Sequence, residues 1–147
     1  MELKEFHKKM AVELFNSTWD LIDKKERTQE DIDNMIHMAH ASRYHWGQIG
    51  EPINLVRGEW QISRVYSILK MGESALYHAN RSLELCVENN IGDFDLAFAY
   101  EAIARAYKVL GNEEKKIEYI QKALEAANNI KNEDDKKYTI SEINNIG

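Results

Sequence analysis

Apolar residues recur along this chain at intervals of three and four residues, the spacing that places them on one face of an α-helix. Near the beginning of the chain, Phe6, Met10 and Leu14 mark such a face. No stretch shows the alternation of β-branched residues that is typical of a strand. The pattern therefore predicts an all-α protein without strands.

Breaks in this pattern divide the chain into seven predicted helices. Thr28 is expected to cap the second helix with Asp31 as its partner, and Pro52 to open the third. Asp93 is expected to cap the fifth helix and Gly111 to end it. The first helix should end near residue 25 and the third near residue 71. Because every connector is short, sequential helices are expected to pack antiparallel.

The sequence also repeats itself at a fixed offset of 41 residues. Residues 55–86 align with residues 96–127 without a gap, and eight of the 32 aligned positions are identical. Average residue usage would give roughly two identities. The identical pairs include Ile62 with Ile103, Arg64 with Arg105, Tyr66 with Tyr107 and Leu69 with Leu110. A repeat of this length, made of one helix pair per unit, indicates a helical solenoid.

The second unit resembles the tetratricopeptide repeat (TPR), with Tyr100, Ala104, Tyr107 and Gly111 at that family's characteristic positions. It departs from the family at Lys116, where alanine is usual, and the first unit departs at Glu59 and Lys70, where an aromatic residue and glycine are usual. The stretch from His45 to Trp60 also resembles a bacterial TPR-like family, a resemblance that implies no function.

The resemblance implies one TPR-like α-α superhelix of about seven antiparallel helices over residues 1–147. Its repeat units would span about 52–92 and 93–132, after a degenerate helix pair at 3–47 and before a capping helix at 133–146. The core between the fifth and sixth helices is expected to contain Tyr107, Leu110, Ala123 and Leu124.

In TPR-like solenoids the first helix of each unit lines a concave groove, and the resemblance implies a ligand-binding groove here. Paired arginines beside aromatic rings favour a carboxylate or phosphate on a partly apolar ligand. The alternative is that Arg64 and Arg105 form internal ion pairs with Glu59, Glu101 or Asp95. The groove residues, at helical spacing on the third and fifth helices, would be Arg57, Trp60, Gln61, Arg64, Phe98, Glu101, Arg105 and Lys108.

A second, polar cluster is predicted from the second and third helices and contains His37, His40, Tyr44 and Glu59. Histidines at this spacing can bind a divalent metal together with Asp33, and Glu59 with His40 can exchange protons. No complete ligand set or catalytic motif accompanies them. Histidines that are solvated or hydrogen-bonded within helix packing are therefore the preferred interpretation, with no metal, cofactor or catalytic residue. A buried Glu59 would need a partner, and Arg64, His40 or Arg43 could supply one.

Composition narrows the classes of function. A formal net charge of −6 argues against nonspecific nucleic-acid binding. The single cysteine, Cys86, rules out an internal disulfide, and its apolar neighbours indicate a buried hydrophobic residue. The chain begins without a signal-peptide pattern and has no apolar run of about 20 residues, which predicts a cytoplasmic protein that does not bind membranes.

The sequence therefore favours a non-enzymatic protein-binding module, whose partner is a protein or peptide that carries acidic groups. The alternative is a metal-dependent or acid/base enzyme that uses the His/Glu/Arg cluster between helices two and three. A third hypothesis is a homodimer, since an open solenoid with exposed aromatic residues tends to self-associate.

Overall fold

The computed structural model describes all residues, 1–147, and contains seven α-helices and no strand. The predicted all-α fold is thus confirmed. No helix has both the length and the apolar character needed to span a membrane. The helices are α1 (Leu3–Ile22), α2 (Gln29–Ile49), α3 (Pro52–Ile68), α4 (Gly72–Glu88), α5 (Asp93–Leu110), α6 (Glu113–Asn128) and α7 (Glu133–Asn144).

Two of the three predicted helix starts are confirmed. The Thr28 hydroxyl accepts a hydrogen bond from the Asp31 amide at 3.1 Å, and Asp31 accepts one from the Thr28 amide at 3.0 Å, so α2 begins with a capping box. Pro52 is the first residue of α3. The prediction for Asp93 was wrong. Gly92 is the N-cap residue, and Asp93 is the first residue of α5, with a φ of 56°. The Asp93 carboxylate accepts a hydrogen bond from the Lys131 amide instead of capping the helix.

Two helices end earlier than predicted. α1 ends at Ile22 because the Arg27 guanidinium turns back and donates to the carbonyl oxygens of Leu21 and Ile22. α3 ends at Ile68 because Lys70 has a φ of 63°, which a right-handed helix cannot accommodate. Gly111, 41 residues further on, has a φ of 76° after the end of α5. In both units, a residue with a left-handed backbone conformation therefore follows the first helix at the same position of the repeat.

The helices form two layers. The odd-numbered helices contact one another in sequence, α1 with α3, α3 with α5 and α5 with α7. Each even-numbered helix packs on the odd-numbered helices before and after it, and the backbones of the even-numbered helices do not approach one another. The rings of His40 in α2 and His78 in α4 nevertheless meet. One face of the odd-numbered layer is therefore left free of the even-numbered helices, and this face carries the clefts described below.

Small side chains allow the C-terminal helices to pack closely. Ala97, Ala104, Ala123 and Ala127 are fully buried in one cluster with Ile130, Ile143 and Ile146. Of the predicted core residues, Ala123 is buried, whereas Tyr107 and Leu124 are half-buried. The prediction that Leu110 is buried was wrong, since it is 42% exposed. Leu110 is the last residue of α5 and covers Gly72 at the start of α4, where a β-carbon would come within 2.7 Å of it.

Basic side chains hold the segment that follows α7. Lys116 is buried, and its Nζ donates to the Gly147 carbonyl oxygen at 2.8 Å. Lys108 Nζ donates to the carbonyl oxygen of Ile146. Since lysines near a helix C-terminus satisfy free carbonyl groups, these bonds anchor α7 to α5 and α6.

Candidate functional site

A cleft of about 370 Å³ opens on the odd-numbered layer, and we call it the aromatic cleft. All four odd-numbered helices contribute to it, so it depends on the packing of the whole layer. Most of its lining is apolar. The lining residues are Phe15 and Trp19 of α1, Val56, Arg57 and Trp60 of α3, Ser82 of α4, Phe94, Asp95 and Phe98 of α5, and Tyr138 of α7.

The rings of this cleft hold one another in place. Trp60 lies in the middle, with its ring centroid 5.7 Å from that of Trp19 and 5.6 Å from that of Phe98. The Trp60 and Phe98 rings are perpendicular, and Phe98 also contacts Phe94 and Tyr138 at 4.7 and 6.1 Å. Edge-to-face and tilted contacts of this kind are favourable for aromatic pairs. The cleft is therefore shaped in advance of any ligand.

An ion pair forms the polar edge of the aromatic cleft. Arg57 Nε and Nη2 donate to the two carboxylate oxygens of Asp95 at 3.0 and 3.2 Å. Asp95 is buried, whereas about half of the Arg57 side chain is exposed. The hydrogen bond to Asp95 raises the pKa of Arg57 above its ordinary value. Arg57 Nη1 makes no hydrogen bond within the chain, which leaves one donor group at the rim of the cleft.

The carboxylate of Glu101 lies behind the cleft and is fully buried. It accepts hydrogen bonds from Trp60 Nε1 at 3.2 Å, from Arg64 Nη2 at 3.0 Å and from Arg105 Nε. The Arg64 guanidinium also lies over the Trp60 ring, 5.0 Å from its centroid. A buried carboxylate is tolerated only when it is paired and hydrogen-bonded in this way. The internal ion pairs considered for both arginines are thus present, with Glu101 as the shared partner.

A second cleft, of about 380 Å³, lies on the other side of this network, and we call it the basic pocket. Four of its nine lining residues are cationic and none is acidic. Arg105 Nη2 donates to the Glu142 carbonyl oxygen at 3.1 Å, and the buried Ser67 hydroxyl has no hydrogen-bond partner. The lining residues are Arg64, Ser67, Ile68, Lys70, Arg105, Lys108, Val109, Asn145 and Ile146.

The eight residues predicted to line one groove do not lie together in the structure. Arg57, Trp60 and Phe98 line the aromatic cleft, while Arg64, Arg105 and Lys108 line the basic pocket. Glu101 is buried between the two clefts and accepts hydrogen bonds from Trp60 on one side and from Arg64 and Arg105 on the other. Gln61 is also fully buried, and its side-chain amide donates to the Phe15 carbonyl oxygen at 3.0 Å, so it connects α3 to α1 and lines neither cleft.

Several lining residues were not predicted from the sequence. Phe15 and Trp19 lie outside the repeat, but their spacing of four residues is a signal that could have marked them. Tyr138 comes from α7, and nothing in the repeat indicates that this helix returns to the cleft. Lys70 had a signal, since it occupies a position where the resemblance leads one to expect glycine.

The predicted polar cluster is only partly assembled. Buried Glu59 accepts hydrogen bonds from Arg43 Nε at 2.8 Å and from His78 Nδ1 at 2.7 Å. Arg43 was one of the three partners expected for Glu59, whereas His78 was considered only as a further ligand of a metal site. The close approach of α2 depends on Gly58, where a β-carbon would lie 2.9 Å from Arg43 Cδ. Burial alone would raise the pKa of Glu59, but His78 and Arg43 outweigh it and lower that pKa.

The remaining members of this cluster lie beside it or away from it. His40 Nε2 is 2.8 Å from the Tyr66 hydroxyl, and its ring is 5.3 Å from that of His78. Burial, with a smaller contribution from the charge of His78, lowers the pKa of His40. His37 and Tyr44 are exposed and make no side-chain hydrogen bond. No group of three or more His, Cys, Asp or Glu side chains is arranged to hold a metal ion.

Cys86 is buried, as its apolar neighbours predicted, and burial raises the pKa of its thiol to about 11. Such a thiol stays protonated near neutral pH and is a poor nucleophile. The aromatic cleft and the basic pocket are separated by Trp60, Glu101 and Arg64. Comparisons with protein families, with curated proteins and with solved structures found no match.

Proposed function

We propose that this protein is a TPR-like binding module that takes up a peptide segment of another protein in the aromatic cleft. The observation that carries this proposal is the cleft itself: an open, mostly aromatic concavity on the free face of the odd-numbered layer. Concave sites of this kind, lined by aromatic side chains with a few placed polar groups, are the usual form of a ligand site.

Two features support the TPR-like architecture of the proposal. The odd-numbered helices form one layer and the even-numbered helices the other, as expected for stacked helix pairs. The offset of 41 residues also recurs in the geometry of ring packing. Tyr66 stacks on His78 at 5.8 Å, and the equivalent Tyr107 stacks on Tyr119 at 5.7 Å.

The shape of the cleft favours one large apolar side chain as the anchor. A volume of about 370 Å³ is at the small end of ligand sites, which range from roughly 300 to 1,000 Å³. Aromatic and aliphatic anchors that fill such pockets dominate the energy of many protein interfaces. The free donor of Arg57 at the rim favours an acidic residue beside this anchor. The expected partner is therefore a peptide with an apolar anchor and a neighbouring carboxylate.

Peptide selection against the whole protein tests this proposal. Phe94 is half-buried at the edge of the cleft, so Phe94→Ala should remove part of the anchor site without opening the core. Tyr77→Ala is the matched control, since Tyr77 is an exposed aromatic residue of α4 that does not line the cleft. We expect selected peptides to carry an aromatic or large aliphatic residue. Their affinity should fall about tenfold or more in Phe94→Ala and stay unchanged in Tyr77→Ala.

Two results would count against this function. One is a selection that yields no peptide binding more tightly to the wild type than to Phe94→Ala. The other is a homodimer that dissociates in Phe94→Ala, measured by size-exclusion chromatography with light scattering. In that case the occupant of the cleft would be a second copy of the chain.

A further inference from the structure

We propose that the basic pocket is a binding site for a phosphate monoester, held by Arg64, Lys70, Arg105 and Lys108. The pocket lies at the C-terminal ends of α3 and α5, on the far side of Glu101 from the aromatic cleft. The inference does not depend on what occupies the aromatic cleft, because the two clefts share no lining residue.

The charge of the pocket is opposite to that of the chain. The protein has a formal net charge of −6, yet four cationic side chains and no acidic one line this concavity. Two carboxylates contact its arginines, Glu101 from within and Glu142 at 4.0 Å. An excess of two positive charges remains, which matches a phosphate monoester, whose charge is about −1.5 to −2 at neutral pH. A single carboxylate would leave one positive charge unmatched.

Donor groups of the pocket remain free after all contacts within the chain are made. Arg64 uses only Nη2 for Glu101, so its Nε and Nη1 have no acceptor. Arg105 uses Nε and Nη2, which leaves Nη1. The Lys70 ammonium group has no acidic partner and makes no hydrogen bond, whereas the Lys70 amide donates to the Ser67 carbonyl oxygen. Guanidinium groups that are held in position by other bonds and keep free donors are suited to the oxygens of a phosphate group.

The pocket is built from equivalent positions of the two repeat units. Arg64 and Arg105 are separated by the offset of 41, and so are Ser67 and Lys108. The same faces of α3 and α5 therefore meet at this pocket, and both present donors to it. Stacking of the two units is sufficient to bring these side chains together, so the pocket is a product of the repeat.

Two residues of the pocket are unfavourable for the fold. The Ser67 hydroxyl is buried without a hydrogen-bond partner, and this residue is 92% buried, with 8% exposure. Lys70 adopts a left-handed φ of 63°, where its equivalent is Gly111. Alanine and glycine would be the better choices for stability at these two positions. Residues that oppose stability in this way often serve a ligand, and here both lie in the same pocket.

The test is a calorimetric titration of the intact protein with O-phosphoserine at low, constant ionic strength, which measures the affinity. Inorganic phosphate and a phosphoserine peptide are titrated in parallel. Serine is the control that lacks the phosphate group, and acetate is the simple carboxylate control. We expect phosphoserine or its peptide to bind at least tenfold more tightly than acetate at pH 8. The advantage should shrink at pH 5, because the second phosphate pKa is near 6. Binding of free phosphoserine would indicate a small phosphorylated ligand, and binding of the peptide alone a phosphorylated protein.

Lys70→Gly separates binding from folding. It removes a cation and relieves the left-handed backbone, so phosphate affinity should fall about tenfold while the melting temperature stays the same or rises. Lys25→Gly is the matched control. It makes the same change in an exposed connector between α1 and α2, and it should leave affinity unchanged. Equal affinities of wild type and Lys70→Gly, or no preference for any phosphorylated probe over acetate, would overturn the inference.

Discussion

The two repeat units pack their two helices with the same geometry but with chemically different side chains. Each unit places three side chains at equivalent positions where its two helices meet, and in each a ring stacks on a ring. The stacks have nearly the same geometry, with interplanar angles of 22° in the first unit and 26° in the second. The first unit has Glu59, Tyr66 and His78 at these positions, and the second has Tyr100, Tyr107 and Tyr119.

The difference shows what the scaffold requires and what it leaves open. The helix pair requires a flat ring from each helix, and both histidine and tyrosine meet this requirement. The third position accepts a carboxylate only because a neighbouring helix supplies a cation, which is Arg43 of α2. In the second unit this position is Tyr100, whose ring is 6.3 Å from that of Tyr119 and needs no counter-ion. The first unit is therefore electrostatically tied to the N-terminal pair and sensitive to acid.

The largest expected effect comes from removing the cation in the first unit. Arg43→Met keeps the aliphatic stem but leaves the buried Glu59 carboxylate with His78 alone. Breaking one side of a largely buried ion pair should lower the free energy of unfolding by roughly 3 kcal/mol. Tyr100→Phe at the position equivalent to Glu59 should change it by less than about 0.5 kcal/mol. Urea denaturation measures both, and equal losses would show that the ionic triad contributes nothing particular.

A smaller effect is expected at the helix ends, with opposite signs in the two units. Gly111→Ala should lower the free energy of unfolding by roughly 1–2 kcal/mol, because a φ of 76° is unfavourable for a residue with a β-carbon. Lys70→Gly should raise it by up to about 1 kcal/mol for the same reason. Thermal and urea denaturation of the two variants give both signs. A loss of stability in Lys70→Gly would mean that the Lys70 side chain makes a stabilising contact.

The smallest effect is a pH dependence that arises at His40 and Glu59, where the first unit meets the N-terminal helix pair. The folded protein lowers the pKa of His40, so the unfolded chain binds more protons as the pH falls through about 6.5. The free energy of unfolding should therefore decrease from pH 7 towards pH 5. The lowered pKa of Glu59 adds a further loss at pH values below about 4.5, where the unfolded chain takes up a proton first.

Two histidine variants on the same helix check this dependence. His40→Gln should reduce the decrease between pH 7 and pH 5. His37→Gln should reduce it less, because the charge of His37 is only a minor cause of the lowered pKa of His40. Melting temperatures at a series of pH values are sufficient. The explanation fails if the two variants show the same slope as the wild type.

Features that depend on local sequence could be predicted, and those that depend on the arrangement of helices could not. The capping box at Thr28 and the start of α3 at Pro52 are local, and both were found. Asp93 was predicted wrongly because its backbone adopts a left-handed conformation and its side chain bonds to a distant amide, that of Lys131. Spacing along one helix also gave no information on how α3 and α5 are rotated against each other.

The same limit applies to the candidate site. The equivalence of Arg64 and Arg105 was visible in the repeat, and the structure places both in one pocket. Six of the eight groove residues nevertheless line two separate clefts. The buried Glu101 carboxylate lies between these clefts and accepts hydrogen bonds from Trp60, which lines one, and from Arg64 and Arg105, which line the other. The contributions of α1 and α7 follow only from the packing of complete layers. A protein partner and a cytoplasmic location stay predictions.

The three tryptophans allow a direct test of the central claim that the aromatic cleft binds a peptide. Trp19 and Trp60 line the cleft, whereas Trp46 of α2 does not, so their indole N–H resonances form a probe with an internal control. In a ¹⁵N-labelled protein titrated with a selected peptide, the resonances of Trp19 and Trp60 should shift together. They should shift by more than that of Trp46, which lines an adjoining pocket that shares Phe15 and Arg57 with the cleft. Saturation binding that moves only Trp46, or none of the three, would contradict the account.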